Sequence, residues 1–97
     1  MPLNDELLQR LARRYVWWKK PEEALAQPDR IVAQVMSIGD YDDVQSLVHQ
    51  AGLPYLREVL SKAEAGQFDA RSWTYWHYRL DLSSPGQVPP LPERRLA

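Results

Sequence analysis

Pro21, Pro28 and Pro54, with Gly39, Gly52 and Gly66, interrupt this chain of 97 residues at short intervals. Proline lacks a backbone donor and fits only the first turn of a helix, and glycine is the favoured residue just past a helix end. Each interval therefore holds a short helix at most. The apolar residues between the breaks recur with helical spacing: Leu7, Leu8, Leu11, Tyr15 and Trp18; Ile31, Val32, Val35, Met36 and Ile38; Val44, Leu47, Val48 and Ala51; Leu56, Val59 and Leu60. No run alternates as a half-buried strand does. The expected fold is all-α, a compact bundle of five or six short helices packed around the third. The expected division is one helical domain over 1–82 and an extended Pro-rich C-terminal tail over 83–97, either loose or pinned to the helices by Val88, Leu91 and Leu96.

Local chemistry sets the helix ends. Asn4, Asp40 and Asp69 are side chains that cap helix N-termini, and Asp5, Glu6, Asp42 and Asp43 place negative charge in first turns, where the helix dipole favours it. Lys19 and Lys20 close the first helix with the complementary sign, and Pro21 ends it. Gly39 reads as a left-handed stop for the third helix and Gly52 as the stop for the fourth. The fifth helix opens at Pro54 and ends near Gly66. Ser72, three residues after Asp69, joins the cap of the sixth.

Several function classes find no support. With no cysteine there is neither a disulfide nor a thiolate metal site. His49 and His77 have no second ligand at metal spacing; the acids Asp40, Asp42 and Asp43 near His49 serve a helix cap better than a cation, so no metal or cofactor is expected. No hydroxyl sits on a nucleophile elbow, the glycines are isolated rather than clustered as a phosphate loop, and adjacent carboxylates such as Glu22-Glu23 diverge on a helix. A non-enzymatic protein is expected. No apolar run is long enough to span a bilayer, no signal peptide is recognised, and the cytoplasm is the expected compartment.

Two short clusters hold all four tryptophans: Tyr15-Val16-Trp17-Trp18 and Trp73-Thr74-Tyr75-Trp76-His77-Tyr78. Protein interfaces concentrate Trp, Tyr and Arg. In the second cluster Trp73, Trp76, His77 and Leu80 share one helical face, with Tyr75, Tyr78, Arg71 and Arg79 beside it. Trp73, Tyr75, Trp76, His77, Tyr78, Arg71 and Arg79, with Arg94 and Arg95 of the tail, are the expected protein-binding set. The competing reading is that a thin core uses large rings to fill itself. Self-association through the same face is a further alternative.

A nucleic-acid reading rests on Arg10, Arg13, Arg14, Lys19 and Lys20, interleaved with Tyr15, Trp17 and Trp18. The fourth and fifth helices have the lengths of a helix-turn-helix regulator of its own operon. Against this stand a net charge of −1, acids on the fourth helix, and Arg57 as the one arginine of the would-be recognition helix.

Trp17-Trp18-Lys19-Lys20-Pro21-Glu22-Glu23-Ala24, Phe68-Asp69-Ala70-Arg71-Ser72-Trp73-Thr74-Tyr75-Trp76-His77-Tyr78-Arg79-Leu80 and Pro89-Pro90-Leu91-Pro92-Glu93-Arg94-Arg95-Leu96 carry a family resemblance. Over most of its length the chain resembles small prokaryotic proteins found beside nucleotidyltransferase-like toxins of the AbiEii type. The resemblance implies an antitoxin-like role, with that toxin as protein partner. It implies no catalytic residue. The positions it singles out are Trp17, Trp18, Pro21, Trp73, Tyr75, Trp76, His77, Arg79 and the closing prolines.

Overall fold

The protein is described by a computed structural model over residues 3–84 and 86–92. Six helices account for its regular structure: α1 Asp5–Tyr15, α2 Pro21–Leu25, α3 Pro28–Ile38, α4 Tyr41–Ala51, α5 Leu53–Ser61 and α6 Ala70–Arg79. No strand occurs among the described residues. None of these helices is long and apolar enough to cross a membrane.

The three expected side-chain caps form. The Leu7 amide donates to Asn4 Oδ1 at 2.8 Å, the Asp43 amide to Asp40 Oδ1 at 2.8 Å and the Ser72 amide to Asp69 Oδ1 at 2.7 Å. Each bond satisfies an N–H that the first helical turn leaves without an internal partner. Ser72 Oγ adds a bond to Asp69 Oδ1 at 2.9 Å. Proline stands in the first turn of α2, α3 and α5.

The helix α3 packs against all five others. Ile31, Val32, Ala33, Val35 and Met36 are buried on it. Around them gather Leu7, Leu8 and Leu11 of α1, Leu47 of α4, Leu56 and Leu60 of α5, and Trp76 and Leu80. The molecule measures 38 × 36 × 21 Å. Its short dimension is little more than half of the other two, so the helices form a flattened body around α3. In such a slab a single indole can cross much of the interior.

Four local features depart from expectation. The first helix ends at Tyr15, with Val16 leaving helical geometry at φ −133°, ψ 42°. Trp18 therefore does not continue the buried stripe. The run Tyr15-Val16-Trp17-Trp18 is β-branched and aromatic, of low helix propensity, and the break lets α2 fold back against α1. Ile38, at the last turn of α3, is exposed rather than in the core. The helix α5 stops at Ser61, short of Gly66.

Gly39 is the fourth departure. Its backbone is extended (φ −65°, ψ 150°), not left-handed, and its role is close approach: a Cβ there would clash with the Val35 carbonyl oxygen. A Gly39→Ala variant should therefore lower stability by about 1–3 kcal/mol in a urea titration, as overpacking does. Gly52 does take positive φ, at 81°, and serves both α4 and α5 as a cap.

The described part of the tail is pinned. Val88 and Leu91 pack on the core, and Trp73 Nε1 donates to the Pro89 carbonyl at 2.8 Å. Substituting Leu91 by Asp should free this strap, cost about 1–2 kcal/mol of burial, and red-shift tryptophan emission as Trp73 becomes wet.

Candidate functional site

The aromatic face of α6 turns inward. Trp73, Trp76 and His77 are 7%, 1% and 6% exposed. These three residues are core members, which corrects their assignment as displayed anchors. Trp76 Nε1 donates to the Met36 carbonyl at 2.7 Å, pairing one of the last-turn carbonyls of α3. His77 lies against Trp73 with ring centroids 4.3 Å apart, and its Nδ1–H donates to the Trp73 carbonyl at 2.8 Å. The physical reason is the small size of the fold: α6 buries one face on α3, and its largest side chains fill that contact. Tyr75, Tyr78 and Arg71 remain exposed. Arg79 donates to Tyr75 Oη at 2.8 Å and lies over the Trp76 ring. Arg94 and Arg95 fall outside the described residues.

The basic band of the first helix is divided. Arg10 and Arg14 turn toward α4: Arg10 pairs with Asp43 at 2.6 Å, and Arg14 with Asp40 at 2.7 Å and Asp43 at 3.3 Å. Tyr15 Oη donates to Asp43 Oδ2 at 2.7 Å and accepts from the Asp40 amide at 3.1 Å. Burial opposes ionisation of Asp43. The hydrogen bonds from Tyr15 and Arg10 and the charges of both arginines outweigh it and hold the carboxyl below its ordinary range. Burial, then the bond to Asp43, pushes the Tyr15 phenol up. This network joins α1 to the start of α4, and it takes Arg10 and Arg14 out of any phosphate-facing array.

Arg13 and Lys19 lie elsewhere, on a groove between α1 and α2 of about 560 Å³. Its floor is the buried trio Ala12, Val16 and Ala24. Trp17, Gln9, Pro21 and Leu25 complete the walls, and no carboxylate is among the lining residues. Lys20 is exposed nearby as the N-cap of α2. Trp17 and Trp18 are 73% and 56% exposed, their rings edge to face with centroids 5.8 Å apart. These are the two indoles the fold displays. Periodicity missed them because it carried the helix through to Trp18. The small residues Ala12 and Ala24, flanked by large ones, were the available sign of a groove.

A second exposed apolar face joins Ile38, Tyr41 and Tyr75 beside a depression of about 570 Å³. Both Asp69 and Arg71 border it, so its charge is mixed. Tyr75 and Arg71 thus share a surface, as the sequence suggested, but with Ile38 and Tyr41 rather than with Trp73 and Trp76.

The helix-turn-helix geometry offers little to a base edge. Arg57 donates through Nε to the Leu80 carbonyl at 3.0 Å, Tyr55 bonds to Asp29, and Leu56, Val59 and Leu60 are buried. Among the described residues no three of His, Asp and Glu gather as metal ligands. Comparison with family models, with curated proteins and with solved structures finds no match to this chain.

Proposed function

We propose that this chain is a non-enzymatic protein-binding module, and that its contact surface is the Trp17–Trp18 turn with the groove beside it. The observation that carries the reading is the pair of exposed indoles on a short turn, one of them walling an aliphatic groove. Aromatic rings lose little conformational entropy on docking, and a tryptophan beside a preformed apolar recess is the usual make-up of an interface hot spot. Tyr75 and Arg71 supply a second, smaller contact area. The resemblance in the Trp17-Trp18, 68–80 and closing-proline segments supports a nucleotidyltransferase-type toxin as the partner, held in an antitoxin-like complex.

The test is co-expression with the product of the adjacent gene. The Trp17→Ala, Trp18→Ala double variant should keep its helical circular dichroism, with stability within about 1 kcal/mol of the parent, because both rings are largely in water already. It should lose co-purification and, if the partner is toxic, protection of the host cell. Undiminished capture by this folded variant removes the reading.

A further inference from the structure

Resting on that protein-binding reading, we infer that the groove between α1 and α2 receives an acidic amphipathic helix of the partner protein, its apolar residues on Ala12, Val16 and Ala24 and its carboxylates facing Arg13 and Lys19.

Charge carries the choice of occupant. Two cations line this groove and no carboxylate does, although the chain as a whole is slightly acidic. Arg10 and Arg14, neighbours of Arg13 on the same helix, are consumed by Asp43 and Asp40. No salt bridge within the described residues engages Arg13 or Lys19. The depression at Ile38 and Tyr41 lacks this asymmetry, since Asp69 and Arg71 both border it.

Dimensions fit a helix. On α1 the lining runs from Gln9 to Arg13, about 6 Å at helical rise, and Val16 and Trp17 extend it into the turn that follows. That length seats apolar side chains at i and i+3 or i+4 of a docking helix, the spacing by which amphipathic helices enter apolar grooves, and the turn at Val16 and Trp17 meets its next turn. An RNA or DNA strand fits less well. Its bases need ring faces in succession, whereas Trp17 and Trp18 stand at 86° to each other and present no two parallel faces along one strand.

The experiment is fluorescence anisotropy with the full chain and three labelled probes at low ionic strength. One is a helical peptide with leucines at i, i+4 and i+7 flanked by glutamates. The second carries lysines in place of the glutamates, and the third is a twelve-residue oligothymidylate. The acidic peptide should bind about tenfold more tightly than the basic one, with the gap narrowing as salt is raised, because both cations are partly in water. The Arg13→Glu, Lys19→Glu variant, checked for folding by circular dichroism, should reverse the order. Equal binding of the two peptides, lost in Trp17→Ala, overturns the acidic occupant while leaving the groove a protein site. Binding of neither peptide also overturns the inference; co-purification then decides the broader reading separately. Tightest binding of the oligothymidylate overturns it in favour of nucleic acid.

Discussion

Replacing Trp76 with alanine should cost about 3–5 kcal/mol for the cavity alone. The Met36 carbonyl would then lose its donor, adding about 1–3 kcal/mol if water cannot replace it. A domain of this size is stable by roughly 5–15 kcal/mol, so the variant should lose most of its cooperative unfolding transition. Two properties concentrate the effect at this residue. It is the largest of the fully buried side chains, and it bridges α6 to the end of the central helix. Trp76→Phe separates them: most of the volume stays and the donor goes, for an expected loss of about 1–3 kcal/mol. Urea titration followed by circular dichroism reads both. A Trp76→Ala protein within about 1 kcal/mol of the parent would contradict the packing described.

The second large effect is expected at Asp43. Its carboxylate is almost wholly buried and receives Tyr15, Arg10 and Arg14. Asp43→Ala leaves the Tyr15 hydroxyl without its acceptor and Arg10 without its partner, while Arg14 keeps Asp40. Removing one partner of a fully enclosed pair costs about 3–5 kcal/mol. Here both arginines are about half in water and recover hydration, so about 2–3 kcal/mol is expected.

The pH dependence follows in sign. Asp43 has a lower pKa folded than unfolded, where the ordinary value is 3.8. Its contribution is therefore complete above about pH 4 and disappears as pH falls through the folded value. The parent should lose stability on acidification below about pH 4 more steeply than Asp43→Asn does. Identical acid limbs in the two proteins would rule out the network as their cause.

The sequence made the local chemistry legible because its causes are local. Asn4, Asp40 and Asp69 cap the helices they precede, and the prolines at 21, 28 and 54 open theirs. The continuous apolar run of the third helix marks it correctly as central. Periodicity groups Trp73, Trp76 and His77 on one face, but it says nothing about whether that face meets this chain or another. That depends on what α3 presents opposite, which is a tertiary fact. The same limit conceals the bond between Tyr15 and Asp43, 28 residues apart. The facing pattern was present, with Arg10 and Arg14 one turn apart on α1 and Asp40 and Asp43 at the start of α4. Only the pairing of those two elements gives it meaning. The exposure of Trp17 and Trp18 follows from a helix that stops at Tyr15, a boundary of the kind that propensity locates least well.

In a body only 21 Å deep, the core comes close to the surface. Ala12 and Ala24 are at once the bed of the groove and part of the hydrophobic cluster that holds the helices together. Anything seated there completes the packing of the fold itself. Occupancy should consequently register as resistance to heat and to proteolysis throughout the molecule, making a plain melting curve a sensitive detector of the right companion.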